Sequence, residues 1–226
     1  MSEHTGEPIR LPDIEYTGPD LNLPAPPDDL EYTGLEDWKS DTILALNGIG
    51  GDVDALRTAL ETQRDALLSA AAHASWRYPA LADRLRGLLD DPDDAVRVDA
   101  AYALARQGDL AAVAALQDAL ERPVGPYLSP LTAAGYLAQL GDPVGYPLVR
   151  DALGDVDRAV NMLACKQLLF FLPLDGRTGG ATTVDAAALF TRAFADPDPD
   201  IGEQARAELE RSPLPAAARL LADGAR

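Results

Sequence analysis

One helix–turn–helix phrase recurs roughly every 31–33 residues, and its clearest copy runs from Asp91 to Glu121. Pro92 suits the first turn of a helix but not its interior, and the aspartates around it supply N-cap oxygens. Gly108 stands where a left-handed residue would end the first helix, and Asp109 can cap the second. A two-helix unit of this size cannot bury its apolar face alone, so it has to stack against further copies of itself.

The copies on either side keep the same landmarks. The following copy has the leucine, glycine and aspartate of the turn at an offset of about 33, as Leu137, Gly141 and Asp142. The last copy opens with an aspartate–proline run at 196–200, an echo of the run at 91–94. Weaker copies cover residues 40–223. The pattern predicts an all-α fold, an alpha-solenoid of about five to six helical hairpins over residues 36–226.

The best copy resembles the HEAT-like repeats first recognised in phycobilisome lyases, with Val96-Arg97, Ala100-Ala101, Ala103-Leu104 and Gly108-Asp109 in the consensus places. The resemblance implies a helical solenoid, and such repeats occur in bilin lyases, in alkylpurine DNA glycosylases and in many bacterial adaptors that bind other proteins. Arg97 is predicted to contact a neighbouring repeat. Pro130 and Asn161 stand in its place in later copies, so any Asp–Arg ladder should be interrupted there.

Residues 1–35 are predicted to form an acidic, proline-rich arm that is extended or disordered. Inside it, Asp13–Gly18 and Asp29–Gly34 are near copies of each other. Each places an aliphatic residue and a tyrosine two positions apart, so both would face the same way in an extended chain. Tyr16 and Tyr32 are therefore candidate partner-binding residues. Two interpretations stay open: docking in a groove of this or another protein, or loose packing of an acidic tail on the first repeat.

Four residues at the end of one first helix form a second candidate site: His73, Trp76, Arg77 and Tyr78. Trp, Tyr and Arg are the residue types that most often anchor protein interfaces. Alignment with Tyr102 places His73 at a non-core position of the repeat. The alternative is that the four side chains only fill the short turn that follows, beneath the arm.

Catalytic and metal-binding patterns are sparse. The chain has two histidines, His4 and His73, which cannot build a convincing triad or histidine metal site. Cys165 aligns with a small core position and is predicted to be a buried structural thiol. The aspartate runs at 90–94 and 196–200 recur at the same place in the repeat, so helix capping explains them better than calcium binding does. No cofactor or metal is expected.

The formal net charge is −18. Residues 1–40 hold ten acidic and two basic side chains and contribute −8, which leaves −10 for the other 186 residues. Such a charge repels phosphate backbones and anionic lipids, so nucleic-acid and membrane partners are not expected, and a basic protein is favoured.

The compartment is predicted from what the sequence lacks. There is no basic segment followed by an apolar run at the N-terminus, no stretch of 18 apolar residues, and one cysteine. These features favour a cytoplasmic protein.

Three functions are compatible with these observations. The first is a non-enzymatic scaffold or adaptor that holds a protein partner on the surface of the second helices; one version is an antidote that neutralises a basic toxin. The second, implied only by the resemblance, is a bilin-lyase-like enzyme or a chaperone of chromophore attachment. The third is a HEAT-like DNA glycosylase, which would need a basic groove that this acidic sequence does not favour.

Overall fold

The computed structural model describes residues 23–25, 27, 35–121, 130–153, 158–179 and 181–224. In these ranges, twelve α-helices pair into six successive hairpins. The first helices are α1 (Leu35–Leu46), α3 (Asp65–Ala74), α5 (Asp94–Arg106), α7 (Pro130–Gln139), α9 (Arg158–Leu168) and α11 (Pro199–Arg211). The second helices are α2 (Val53–Thr62), α4 (Ala82–Gly87), α6 (Val113–Glu121), α8 (Tyr146–Ala152), α10 (Ala186–Phe194) and α12 (Pro215–Gly224). The predicted all-α solenoid of five to six hairpins is confirmed.

Short 3-10 segments complete several of the connections, at Ser75–Arg77, Pro79–Leu81, Leu110–Ala112 and Leu169–Leu174. The connection between α9 and α10 contains the last of these segments, followed by a small antiparallel hairpin of β1 (Thr178–Gly179) and β2 (Thr182–Thr183). Among the described residues, no helix combines the length and the apolar character needed to cross a bilayer. The predicted arm, including Tyr16 and Tyr32, lies outside the described residues except at 23–25, 27 and 35, and the last of these is the first residue of α1.

Three first helices end in the same turn. Gly48, Gly108 and Gly141 have positive φ angles of 71°, 77° and 87°. The residue after each glycine donates its backbone N–H to the carbonyl of the leucine that lies four residues before the glycine. The pairs are Ile49–Leu44, Asp109–Leu104 and Asp142–Leu137, at 2.9, 2.9 and 2.8 Å. This is the Schellman arrangement, which satisfies carbonyls that the helix leaves unpaired. The leucine–glycine spacing of the repeat is therefore a backbone requirement.

The turn geometry predicts that replacement by alanine has opposite effects on the stability at two glycines, Gly108 and Gly87. Added Cβ atoms at Gly108 and at Gly87, the last residue of α4, would both enter open space. Gly108 alone has a positive φ. Gly108→Ala should lower the free energy of unfolding by about 1 kcal/mol, whereas Gly87→Ala should raise it by about 0.5 kcal/mol. Urea unfolding followed by circular dichroism measures both, and equal effects would contradict the assigned turn.

Aspartates begin several helices, as predicted. Asp93 accepts a hydrogen bond from the Ala95 amide at 2.8 Å, and Asp198 accepts one from the Asp200 amide at 3.0 Å. Asp52 and Asp109 cap the segments that follow them in the same way. These carboxylates satisfy amides at the first turn, where the helix dipole also favours negative charge.

The hairpins stack into two layers. The first helices pack on one another in chain order from α1 to α11, and each second helix from α2 to α10 also packs on the first helix of the next hairpin. Buried leucines and alanines fill the space between the layers, in two clusters that meet at α7. Ala133 and Leu137 belong to the N-terminal cluster, whereas Leu131, Ala134 and Ala138 belong to the C-terminal one. Because α7 is buried on both sides, it carries no charged residue.

α7 and α8 approach closely at Gly145. A Cβ added there would lie 2.4 Å from the Ala134 Cβ and 2.7 Å from its Cα. The φ of Gly145 is −80°, which any residue adopts, so the restriction is purely steric. Gly145→Ala should lower the free energy of unfolding by about 2 kcal/mol, while Gly51→Ala, which meets no atom within 4 Å, should change it little. Equal stabilities of the two variants in thermal unfolding would refute this close approach.

The prediction that Arg97 contacts a neighbouring repeat is wrong. Its guanidinium pairs with Asp94 and donates to the Asp91 carbonyl at 2.6 Å, both in its own hairpin. Arg97 lies in the first turn of α5, so its side chain folds back on the acidic residues there. Asn161, which replaces it in the fifth hairpin, donates instead to the Leu153 carbonyl of the preceding hairpin at 2.7 Å.

Two second helices also make polar contacts with the next hairpin. Arg86 of α4 lies 2.6 Å from the Asp109 carboxylate, and Gln117 of α6 donates to Asp142 at 2.8 Å. Asp109 and Asp142 are equivalent residues that follow the turn glycine. Each aspartate therefore accepts a hydrogen bond from the amide two residues after it and receives a donor from the hairpin before it.

Candidate functional site

His73 lies at the end of α3, beneath α1. It is 4% exposed, so its predicted non-core position is wrong. Its Nε2 lies 3.0 Å from Oδ1 of Asp37 in α1, and its Nδ1 lies 3.3 Å from Oδ1 of Asp99 in α5. The two carboxylates replace the water that an exposed histidine would bind, which makes its burial possible.

The charges of this site are strongly coupled. Burial acts to lower the pKa of His73, but its hydrogen bonds to Asp37 and Asp99, and the charges of these carboxylates, raise the pKa to about 9. Burial acts to raise the pKa of Asp37, but the hydrogen bond from His73 and the charge of Arg106 lower it to about 2. At neutral pH the site therefore holds an imidazolium between two carboxylates.

Asp37 is the centre of the arrangement. Besides His73, it accepts a hydrogen bond from the Trp76 indole nitrogen at 3.2 Å. Arg106 Nη1 donates to both of its oxygens, at 2.9 and 3.2 Å. We name Asp37, His73, Trp76, Asp99 and Arg106 the Asp37 cluster. It joins α1, the end of α3 with the turn that follows it, and α5, which belong to three consecutive hairpins.

Two guanidinium groups make cation–π contacts with the Trp76 ring. The Cζ of Arg106 is 3.5 Å from the ring centroid, and that of Arg77 is 5.4 Å away. Arg77 in turn makes two hydrogen bonds to Asp41 of α1, at 2.9 and 3.0 Å. Cation–π contacts of this kind stabilise both partners, most strongly where water is excluded. Trp76 and Arg77 thus help to hold α1 in place.

Tyr78 and two further aromatic residues extend the site. The Tyr78 hydroxyl donates to the Gly51 carbonyl, between α1 and α2, at 2.8 Å. The ring of Tyr102 lies 5.2 Å from that of His73 and 3.9 Å from that of Tyr136, measured between centroids. A row of aromatic rings therefore follows α3, α5 and α7.

The geometry of this site is suited to holding α1 in place and to binding a partner. Because both ring nitrogens of protonated His73 donate to carboxylates, neither has a lone pair with which to accept a proton at neutral pH. Trp76, Arg77 and Tyr78 contact α1 or the turn after it, and each keeps part of its side chain exposed. The structure brings all four predicted residues together. Their role in partner binding stays a prediction.

Sequence reasoning missed three members of the cluster, Asp37, Asp99 and Arg106. One signal was present: Ser69 and His73 lie four residues apart in an alanine-rich helix, where polar residues on one face call for a polar partner. Ser69 donates to Asp99, which supplies that partner. Asp37 and Arg106 are 69 residues apart in the chain and have no comparable local signal.

A groove of about 480 Å³ lies between α4 and α6, above the first turn of α5. Leu89 and Val98 contribute apolar surface to it, and the other apolar lining residues are alanines, at 111, 114, 115 and 119. Its polar lining residues are Arg86, Asp90, Arg97 and Asp118. The groove therefore has a floor of small side chains and a charged rim.

Other reactive groups are scarce in the described part of the chain. Cys165 is fully buried, and burial, together with the carboxylates of Glu208 and Asp196, raises its pKa to about 12. The predicted buried thiol is confirmed, and such a thiol is a poor nucleophile. Within the described ranges, His, Cys, Asp and Glu side chains form no group of three or more that could hold a metal ion.

Comparison with known proteins identifies the repeat. The family model of the PBS lyase HEAT-like repeat matches residues 96–122, which comprise most of α5, the Gly108 turn and α6. The chain therefore contains a repeat similar to the HEAT-like repeats of PBS lyases. No curated protein sequence matches it at a significant level.

The matched HEAT-like repeat contains only part of each candidate site. Asp99 and Arg106 of the Asp37 cluster lie inside residues 96–122, and so does the α6 wall of the groove. Asp37, His73 and Trp76 lie in the two hairpins that precede the matched repeat. The cluster is thus a feature of how the first three hairpins combine.

Proposed function

We propose that this protein is a non-enzymatic scaffold or adaptor of the cytoplasm that binds a protein partner with a basic face. The observation that carries the proposal is an array of helical hairpins, one of which matches a HEAT-like repeat, in a chain with a formal net charge of −18. HEAT-like repeats generally serve protein interactions, and an acidic surface attracts basic partners over distances of about a Debye length. An antidote that neutralises a basic toxin is one specific form of this function.

The proposed contact residues remain Trp76, Arg77 and Tyr78, buttressed by His73, together with Tyr16 and Tyr32 of the arm. Their side chains are of the types that anchor protein interfaces. Arg77 offers the cleanest test, since its side chain is 31% exposed and its pair with Asp41 is at the surface. Arg77→Ala should weaken partner binding more than it lowers stability.

Affinity capture at two salt concentrations tests the electrostatic argument. The full-length protein, immobilised, should retain a basic partner at low salt and release it at about 0.5 M salt, where the Debye length falls to a few ångströms. Identification of the captured protein by mass spectrometry then gives its isoelectric point. Capture that does not depend on salt would contradict a partner chosen by charge.

A lyase-like role in chromophore attachment is the alternative, and the description of the matching family is what favours it. Its test is direct. Mixing the protein with a linear tetrapyrrole should shift the visible absorbance of the pigment if the protein binds it. An unchanged spectrum at excess protein would argue against this role and would leave the scaffold proposal untouched.

A further inference from the structure

The groove between α4 and α6 presents an accessible apolar floor. Ala111, Ala115 and Ala119 follow one another at four-residue spacing, with Ala114 beside them, and Ala111 and Ala114 are exposed. Leu89 lines the groove from the α4 side. Small side chains allow another helix to approach closely, because the distance between packed helices is set by the side chains at the contact.

Arg86 contributes little positive charge to the rim of this groove. Its guanidinium lies between two carboxylates, those of Asp83 and Asp109. The same pairing raises the pKa of Arg86, with the hydrogen bond to Asp109 as the largest cause. A negatively charged ligand would have to compete with both carboxylates for this side chain.

Arg97, the other cation of the rim, is bound as well. It pairs with Asp94 and donates to the Asp91 carbonyl. Asp90 and Asp118 add two more carboxylates to the lining. Leaving Asp118 aside, the two arginines, their carboxylate partners and Asp90 comprise two positive and four negative side chains, a local balance of −2.

A large apolar residue next to Ala111 in the chain is exposed. Leu110 is 66% exposed, the highest value among the large apolar residues that the structure describes as exposed. It directly precedes Ala111 in the 3-10 segment that leads into α6.

We propose that this groove receives an amphipathic helix of the partner, with small apolar side chains against the alanines and lysine or arginine side chains along its flanks. This inference rests on the proposed function and adds the place and the shape of the contact. A helix fits because the walls are themselves helices, and helix-in-groove recognition uses apolar side chains at three- and four-residue spacing. The acidic rim selects the basic flanks.

A synthetic peptide serves as the probe. A labelled peptide of about 20 residues, with Ala and Leu on one helical face and Lys on the other, is titrated with the full-length protein at low salt and followed by fluorescence anisotropy. A scrambled peptide of the same composition has the same charge without the apolar face. The ordered peptide should bind at least tenfold more tightly than the scrambled one.

Two pairs of variants locate the binding. Ala114→Trp fills the groove, and Ala188→Trp places the same side chain on an exposed position of α10. Asp90→Asn removes a charge from the rim, and Asp223→Asn removes one from the exposed face of α12. Ala114→Trp should weaken peptide binding at least tenfold and Asp90→Asn several-fold, while the two controls should stay within twofold of the unmodified protein.

The outcomes separate the groove from the broader function. Equal binding of the ordered and scrambled peptides, or equal binding by the Ala114→Trp and Ala188→Trp variants, would overturn the groove proposal. If Ala114→Trp still captured the salt-sensitive natural partner at full strength, the groove would be refuted while the scaffold function stood. If Ala114→Trp loses the capture of the natural partner and Ala188→Trp keeps it, the result supports both the groove and the scaffold function.

Discussion

Replacement of Asp37 by alanine is expected to lower the free energy of unfolding by about 3 kcal/mol, the largest effect anticipated for a single polar side chain here. The reason is that Asp37 accepts hydrogen bonds from His73, Trp76 and Arg106 at once. Removing it leaves a buried imidazolium and an indole N–H without this acceptor. Urea unfolding measures the loss, and amide hydrogen exchange should show that α1 opens first.

Asp41→Ala is the matched control, one turn later in the same helix. Asp41 also binds an arginine, Arg77, but its side chain is 48% exposed. Exposed ion pairs contribute little, so this variant should cost less than about 1 kcal/mol. Equal losses for the two variants would show that Asp37 is an ordinary surface acid and that α1 is held by its apolar contacts alone.

The stability of the protein is expected to fall as the pH rises from about 6.5 to about 9. In this interval folded His73 keeps its proton, since its pKa is raised from 6.5 to about 9, while the unfolded chain loses it. The folded state then binds more protons, so the free energy of unfolding decreases by about 1.4 kcal/mol per pH unit, on the order of 3 kcal/mol in total. Below about pH 6.5 this contribution is fully present.

Asp37 sets the acid limit with the opposite sign. Its pKa is lowered from 3.8 to about 2, so its contribution to the stability is present above pH 3.8 and is lost as the pH falls toward 2.

Urea unfolding between about pH 2 and about pH 9 measures both pH dependences, for the unmodified protein and for His73→Gln. The variant should be less stable near pH 6 and should lose the slope above pH 6.5. An identical slope in both proteins would assign the pH dependence to other groups.

Much of the fold follows from local chemistry. The glycine at position 108 has to adopt a positive φ, and the aspartate after it accepts the amide of the residue two positions on. Both features repeat at 141 and 142. Each of these features acts within one turn of chain, so a single sequence displays it. The period of the repeats and the all-α class were predictable for the same reason.

The candidate sites were only partly predictable. His73, Trp76, Arg77 and Tyr78 were recognised by residue type, yet the burial of His73 was not, because the carboxylates that compensate for it belong to other hairpins. Arg97 was predicted to contact a neighbouring repeat, whereas the structure pairs it with Asp94, three residues before it in the same hairpin. The groove depends on the separation of α4 and α6, which no local pattern encodes.

The sequence by itself determined the unit of this protein: two helices, a glycine turn, aspartate caps and an apolar face that requires a neighbour. Only the tertiary structure decided which side chains of different units meet. Asp37 reaches His73 across 36 residues of chain, and Asp99 reaches it across 26. The stacking of the hairpins brings these side chains into contact. Stacking results from many weak apolar contacts, none of which can be recognised in the sequence alone.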